Sequence, residues 1–307
     1  MLGTLALLAG LALPQQTDTT IAVRAGMRVD VNNYGGSVVV GTWDRSAVRI
    51  RADHSGRDRV AIATSGSVLS VRSEGRLGPS RVVDYQITMP RGMGVSVSGV
   101  YNDVTVEGAG DVGAETVEGD VIVSGGSGSA TLSSIDGDIM VRDRQGRLKI
   151  TAVDGDVEIR NFTGDLTVES VDGDVVMTGI QAASTDVNSV DGDLFYEGTL
   201  RDNGKYRLSS HDGDIVLVVP ERTNASFTVA MFSGEFDSSF PVQLNRTSKN
   251  RFHFTLGSGN AQVEVESFDG TIRLRRPGEA VESRRHHDKN KNNNKNHDCD
   301  HCPEDPS

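Results

Sequence analysis

The amino-acid sequence predicts an all-β protein whose main part is a single-chain parallel β-solenoid. Glycine recurs every nine residues between positions 110 and 173, and small or aliphatic residues stand two and four positions after each of these glycines. Apolar residues two apart lie on one face of a strand. Nine residues are too few for a strand–helix–strand crossover, so strands that repeat in one direction stack only if the chain coils.

The coil is predicted to contain about 18 residues, with one strand on each of its two sides. Acidic–glycine–acidic triplets follow this longer period at Gly119, Gly137, Gly155 and Gly173, and the spacing then widens to Gly192 and Gly213. Burial of an aliphatic strip between the two sides would drive folding, at about 25 cal/mol for each Å² removed from water. The regular repeats are assigned to residues 101–219.

Irregular strands flank the repeats, and the whole solenoid is assigned to residues 20–276. Residues 27–52 alternate between apolar and polar side chains and are predicted to form three short strands. Solenoids need protected ends. The first strands and the closing segment FDGTIRLRR, residues 268–276, are the predicted caps.

The two ends of the chain are predicted to lie outside the solenoid. Residues 1–16 are interpreted as a signal peptide, because an apolar run at 2–13 precedes a polar stretch and is too short to span a bilayer, although no basic residue precedes the run. No later segment is apolar enough to cross a membrane. The protein is therefore expected to be exported to the periplasm, the cell surface or the medium. Residues 277–307 are rich in His, Asn and Lys and are predicted to be disordered.

The composition narrows the classes of function. The formal net charge is −12, whereas nucleic acid binding needs a basic patch, so nucleic acid is not an expected partner. Aromatic residues make up 5% of the chain, which disfavours a broad aromatic platform for glycans. The acids repeat in every coil instead of forming one unique acid–base pair. The sequence therefore predicts a protein that is not an enzyme.

The repeated carboxylates allow two interpretations. An Asp beside a Gly is typical of turns in which the carboxylate accepts backbone N–H groups. Ca²⁺ prefers flexible sites with several oxygen ligands, which makes the stacked carboxylates a candidate calcium site. The candidate ligands are Asp136, Asp138, Asp154, Asp156, Asp172, Asp174, Asp191 and Asp193.

A second candidate metal site lies in the C-terminal tail. The two cysteines of the chain are Cys299 and Cys302, and His297 and His301 interleave with them. A disulfide in an exported tail and capture of Zn²⁺ or a related metal are both open interpretations. His211 stands where earlier coils have valine, and it is predicted to pack in a corner rather than to bind a ligand.

Four segments resemble a known family. They are NYGGSVVVGTWDRSAVRI near the N-terminus, the strand YQITMPRG, the SVDGDV repeats and the closing GSGNAQVEVESFDGTIRLRR. Over about residues 20–276 the chain resembles the bacterial putative-adhesin family, an adhesin-like domain of unknown function. The resemblance implies a right-handed β-helix at the cell surface or in the envelope, and it implies no catalytic residue and no cofactor.

These inferences predict an exported, non-catalytic β-solenoid that serves as a binding or structural module of the cell envelope or surface. The expected partner is an unidentified molecule of the envelope or surface. Two alternatives stay open. One is a carbohydrate-binding or carbohydrate-active β-helix, which would show one cleft with a unique acid and base, and the other is a rod stabilised by calcium. The oligomeric state is not predicted.

Overall fold

Every regular element of the structure is a β-strand, as the sequence predicts. The computed structural model describes residues 15–75 and 82–279, and these two ranges contain strands and turns but no helix. The strands of the N-terminal part are β1 Gln15–Ala22, β2 Arg28–Trp43, β3 Ala47–His54, β4 Asp58–Ser65, β5 Val68–Gly75, β6 Asp84–Pro90 and β7 Gly94–Glu107.

Several predictions concern residues outside the described ranges. The predicted signal peptide lies there except for residues 15 and 16, which begin β1. Residues 280–307 of the predicted tail also lie there, with the candidate ligands His297, Cys299, His301 and Cys302. The part of the chain that the structure does describe has no helix of the length and hydropathy that a bilayer-spanning helix requires.

The central strands form the predicted coil. They are β8 Val112–Glu118, β9 Val121–Ser124, β10 Ser127–Asp136, β11 Ile139–Arg142, β12 Gln145–Asp154, β13 Val157–Arg160, β14 Thr163–Asp172, β15 Val175–Asp191 and β16 Leu194–Gly198. Long strands pair in parallel with long strands, and short strands with short strands. The 17-residue β15 serves as both, because its first part pairs with the short β13 and its later part with the long β14. Gly128 lies opposite Gly146, and Gly146 opposite Gly164, so each coil has 18 residues until a bulge after Gly164 lengthens the next one.

The core is the aliphatic strip that the repeat predicts. In β12, Leu148, Ile150 and Ala152 are buried, whereas the residues between them are exposed or half-buried. The short strand β13 adds Val157 and Ile159 to the same core. Burying one large aliphatic side chain stabilises a fold by about 1.5–3 kcal/mol. Because the next coil repeats the pattern, the core runs continuously along the solenoid.

Glycine is required where a long strand turns into a short one. Gly137 has a φ of 141°, and a Cβ atom at this position would lie 2.4 Å from the carbonyl oxygen of Gly119 in the preceding coil. A side chain therefore cannot fit unless the backbone moves. The contact recurs from coil to coil, which explains why glycine keeps the 18-residue register at this turn.

The C-terminal end departs from simple coiling. Its strands are β17 Lys205–Asp212, β18 Ile215–Val218, β19 Ala225–Ser233, β20 Phe236–Ser238, β21 Asn245–Arg246, β22 Arg251–Leu256, β23 Ala261–Asp269 and β24 Ile272–Arg275. β23 lies between β17 and β19, and β24 lies between β18 and β20. The prediction that FDGTIRLRR caps the solenoid is therefore wrong. This segment fills the last coil but one, and β22 and β21 add antiparallel strands beyond β19.

The N-terminal end is organised in a similar way. On one side, β2 pairs with β7. On the other side, the first half of β2 pairs with β5 and the second half pairs with β6. Antiparallel pairs then add β4 to β5, β3 to β6 and β1 to β3. The prediction of three short strands in residues 27–52 is wrong, because β2 alone has 16 residues and β3 follows it directly.

Pairing links the 24 strands of the described residues into one mixed sheet, so the prediction of a purely parallel β-solenoid is wrong at the two ends. A parallel coil ends in a row of unpaired N–H and C=O groups. A strand that folds back antiparallel covers this row after a short turn, whereas a further parallel strand would need another coil. The antiparallel strands are therefore the physical caps of the parallel middle.

Candidate functional site

The repeated acidic triplets form one edge of the solenoid. We call the five residues that join each long strand to the following short strand a corner motif, with the consensus Ser-x-Asp-Gly-Asp. Position x is hydrophobic in six of the seven coils and histidine in one. Within the described residues the motifs lie in register at 116–120, 134–138, 152–156, 170–174, 189–193, 210–214 and 267–271.

The first position of the corner motif is buried and carries a small side chain. The hydroxyls of Ser134 and Ser210 donate to the carbonyl oxygens of Gly119 and Gly192, at 3.3 and 3.5 Å. Both acceptors belong to the preceding coil. Buried carbonyl groups need such partners, so these two hydroxyls help to hold one corner on the next. Ala152 has no hydroxyl, and the hydroxyls of Ser170 and Ser267 have no hydrogen-bond partner among the described residues.

The fifth position forms a ladder of hydrogen bonds. In each coil the Oδ1 atom of this Asp accepts the backbone N–H of the fifth residue in the next coil. The N···O distances are 2.7–2.9 Å along the inner carboxylate column, which consists of Asp120, Asp138, Asp156, Asp174, Asp193 and Asp214. Asp214 also forms a 2.7 Å ion pair with Arg273. This column shows the turn chemistry that the Asp-Gly pairs predict.

The third position forms a second, exposed row of acids. This outer carboxylate column consists of Glu118, Asp136, Asp154, Asp172, Asp191, Asp212 and Asp269. Within the part of the chain that the structure describes, none of these seven side chains has an ion-pair or hydrogen-bond partner. The described residues also contain no group of three or more His, Cys, Asp or Glu side chains that could hold a metal ion. Calcium binding by the carboxylates stays a prediction.

The second position points a hydrophobic side chain outward. We call this row the corner ridge. It consists of Val117, Ile135, Val153, Val171, Val190, His211 and Phe268 in the seven motifs, together with Phe232, which lies at the equivalent place in the last coil. Its aliphatic and phenylalanine members are 39–69% exposed. Phe268 stacks on both His211 and Phe232, with ring centroids 4.7 Å apart in each pair. The prediction that His211 packs in a corner is therefore wrong, because it is an exposed member of the ridge.

Sequence reasoning missed the corner ridge, although its signal is present. Residue type does not distinguish Val171, which is exposed, from Val175, which is fully buried. The signal is positional. Val171 directly follows the buried Ser170, and neighbouring residues of a strand point to opposite faces, so Val171 points to solvent.

Of the grooves that the described residues form outside the corners, two are the largest. One has a volume of 820 Å³ and is lined by three arginines and Asp111, whose Oδ1 accepts a backbone N–H of the next coil at 2.8 Å. The other, also of 820 Å³, is lined by His253, Glu264 and Arg207. There His253 hydrogen-bonds the hydroxyl of Thr228 at 2.9 Å, and Glu264 pairs with Arg207 at 2.9 Å. The acids of both grooves thus have partners within the strands.

The clear pKa shifts belong to structural groups. Burial raises the pKa of Tyr85 and Tyr196 above the ordinary tyrosine value. The Arg49 guanidinium lowers the pKa of Asp18 to about 2, through an ion pair that ties β1 to β3. Burial lowers the pKa of Arg144, whose guanidinium donates to carbonyl oxygens of earlier coils. None of these five groups belongs to a corner motif.

The solved structures that match this chain have low sequence identity to it. A putative adhesin from Bacteroides fragilis NCTC 9343 is 11% identical, with coverage of 85% of this chain and 97% of that chain and a TM-score of 0.42. A putative lipid binding protein from Parabacteroides distasonis ATCC 8503 is 10% identical, with coverage of 85% and 96% and a TM-score of 0.45. A putative adhesin from Parabacteroides merdae ATCC 43184 is 11% identical, with coverage of 85% and 96% and a TM-score of 0.36.

Sequence comparison adds a family. No curated protein matches the chain in sequence. A family model described as Toastrack DUF4097 matches residues 161–275, which include four of the corner motifs and the inserted strands β23 and β24. The resemblance to an adhesin-like domain of unknown function is thus confirmed, and residues 161–275 are similar to the Toastrack DUF4097 family.

Proposed function

We propose that the protein is an exported, non-catalytic β-solenoid that serves as a binding or structural module of the cell envelope or cell surface. Export is supported by the apolar run at 2–13, which has the length of a signal-peptide core. The proposal includes the right-handed coil that the family resemblance implies. The partner is an envelope or surface molecule.

The repetition of the corner motif carries the proposal. A catalytic centre brings different side chains together once, with an acid, a base or a nucleophile in set positions. Here seven coils present the same chemistry at the same positions, and the Oδ1 atoms of the inner carboxylate column already accept backbone N–H groups. A surface that repeats about every 4.8 Å favours contact with an extended partner.

The carbohydrate alternative receives less support from this surface. An aromatic ring holds a sugar through an open face. Phe268 lies between the rings of His211 and Phe232, so its two faces are covered by protein. One end of the corner ridge therefore offers a single open ring face rather than a platform.

The outer carboxylate column favours a second candidate function, a rod stabilised by divalent cations. Like charges about 4.8 Å apart repel by roughly 0.9 kcal/mol per pair in water. The column has no cationic side chain to offset this repulsion within the described ranges. Ca²⁺ held between neighbouring coils would offset it with oxygen ligands of the kind it prefers.

Cell fractionation followed by crosslinking tests the leading proposal. Full-length protein with a C-terminal epitope tag should occur in the envelope, surface or medium fraction of the cells that produce it, and a variant lacking residues 1–16 should stay in the cytosol. Crosslinking of intact cells should capture an envelope or surface molecule. A cytosolic location of the full-length protein would overturn export, and release of a product from purified envelope polysaccharide would overturn the non-catalytic role.

A further inference from the structure

The corner ridge and the outer carboxylate column occupy the two positions of the corner motif that the fold does not explain. The first position is a small, buried side chain, the glycine avoids a backbone clash, and the fifth position bonds to the next coil. The second position contributes an exposed hydrophobic side chain in coil after coil. Exposed apolar side chains are ordinary when scattered, whereas a contiguous row of them marks an interaction site.

Strand formation alone does not require hydrophobic residues at this position. Threonine has nearly the same shape as valine and the same preference for strands. The outward positions elsewhere on the long strands are in fact polar, as at Thr131, Lys149 and Thr167. A row of threonines would therefore build the same corner without exposing hydrocarbon to water.

The corner ridge is long and is bordered by negative charge. Its eight members lie in successive coils, so the row extends for about 34 Å at 4.8 Å per coil. The outer carboxylate column runs directly beside it, one residue further along each motif. These carboxylates lack cationic partners within the described residues, so the ridge is an apolar line with an uncompensated acidic border.

We propose that the corner ridge is the docking line for a cationic amphipathic helix of a partner protein. The proposal rests on the proposed function and specifies the chemistry of its partner. An apolar stripe on the helix would cover the ridge, and Lys and Arg beside the stripe would face the outer carboxylate column. A helix repeats its apolar stripe about every 5.4 Å, close to the spacing of the coils, and about 22 helical residues span the ridge.

Charge and composition disfavour the other occupants. Two copies of the chain docked ridge to ridge would bring two acidic columns together, and an anionic lipid surface would meet the same repulsion. The chain's own termini also lack the required chemistry. Residues 1–14 have no basic side chain, and residues 280–307 have only Ala280 and Val281 as aliphatic residues.

A peptide-binding experiment with matched variants tests the docking line. The probe is a fluorescein-labelled 22-residue helix of Leu and Lys with one apolar stripe, and the comparison peptide has Glu in place of Lys. Fluorescence anisotropy with the full-length protein should show binding of the Leu/Lys peptide at least tenfold tighter than binding of the Leu/Glu peptide. The ridge variant carries Val153→Thr, Val171→Thr and Val190→Thr.

The control variant makes the same kind of change at three exposed aliphatic residues outside the corner ridge, namely Val39→Thr, Val82→Thr and Ile122→Thr. Neither variant alters the charge. The ridge variant should weaken binding of the Leu/Lys peptide at least tenfold, and the control should change it less than twofold. Circular dichroism melts should show that both variants fold. An equal effect of the two variants would overturn the docking line.

Two further outcomes would assign the ridge to another occupant and overturn the proposal. One is a dimer in sedimentation that the ridge variant converts to monomer. The other is flotation with anionic phospholipid vesicles that the ridge variant abolishes. Failure of the proposed function can be distinguished from failure of the docking line. A cytosolic location of the full-length protein would overturn the proposed function. An envelope molecule that crosslinks equally to the wild type and to the ridge variant would overturn the docking line alone.

Discussion

Asp156 links three successive coils through one residue. Its backbone N–H donates to Asp138, and its carboxylate accepts the N–H of Asp174, each at 2.9 Å. Asp154, two positions earlier, is exposed and has no side-chain partner. The two acids have the same residue type and recur with the same period. One of them joins neighbouring coils, whereas the other contributes negative charge to the surface of the corner.

These roles predict different responses to truncation. Asp156→Ala should lower the free energy of unfolding by about 1–2 kcal/mol, because a backbone N–H loses a charged acceptor. Asp154→Ala should leave it unchanged or raise it by a few tenths of a kcal/mol, because it removes repulsion from its neighbours. Urea denaturation of both variants measures the difference. Equal destabilisation would contradict the assignment of the inner and outer columns.

Arg144 shows how residue type can mislead. It stands in the polar stretch RDRQG, yet it is only 1% exposed. Its guanidinium donates to the carbonyl oxygens of Gly125, at 2.9 Å, and Ala109, at 3.4 Å. The next two coils have Phe162 and Ile180 at the equivalent place, and both are buried. The arginine therefore fills a space in the core and satisfies backbone groups there.

Removing this side chain should be costly. Arg144→Ala should lower the free energy of unfolding by about 3–5 kcal/mol, because it leaves both a cavity and buried carbonyl oxygens without partners. Arg142→Ala, an exposed change two residues earlier, is the matched control and should cost less than about 1 kcal/mol. Urea unfolding measures both values. An Arg144→Ala variant as stable as the control would show that the guanidinium is dispensable.

At the scale of the elements, β23 and β24 complete the solenoid from within. They form the coil between β17–β18 and β19–β20. The chain therefore leaves this coil empty when it runs from β18 to β19, and its last two strands fill it afterwards in sequence. The last strands in sequence are therefore not the last strands in space. A C-terminal segment in such a position contacts two coils instead of one.

This placement predicts a sharp boundary for C-terminal truncation. A chain that ends at residue 276 keeps both strands and should melt within a few degrees of the full-length protein. A chain that ends at residue 260 lacks the intervening coil and should lose cooperative unfolding, because the strands that face the gap are left unpaired on that side. Circular dichroism melts distinguish the two. Cooperative melting of the shorter chain would contradict the inserted position of β23 and β24.

The corner motifs also allow a test of the hypothesis that calcium stabilises the solenoid. If the protein is a calcium-stabilised rod, millimolar Ca²⁺ should raise its melting temperature and EDTA should lower it, because ligand bound to the folded state stabilises that state. The combined change Asp136→Asn, Asp154→Asn and Asp172→Asn should remove this response, whereas Asp30→Asn with Asp44→Asn should keep it. Identical melting curves with and without Ca²⁺ would exclude this candidate.

The elements differ in how far sequence could predict them. The glycine period predicted the strands, the coil and the core between 112 and 177, because it reports a backbone contact that excludes a side chain. The ends could not be predicted in this way, because β2 with β7 and β17 with β23 are pairs far apart in sequence. The corner ridge was missed because valine fits both the buried face and the exposed face of a strand.

At the scale of the whole molecule, a single repeated motif organises both stability and surface. Its inward side chains extend the core, and its glycine and inner Asp join the coils. Its two outward positions form the corner ridge and, beside it, the outer carboxylate column. The overall charge of −12 has the same sign as this border. These features together point to a long binding surface for a cationic partner.

Site-specific photocrosslinking in living cells tests this account most directly. A benzoylphenylalanine probe at Val171 on the corner ridge is compared with the same probe at Ile122, an exposed residue outside it. The account predicts that the Val171 probe captures a partner protein through a Lys- or Arg-rich segment, and that the Ile122 probe does not. Capture of the same molecules at both positions, or of no partner protein at Val171, would contradict it.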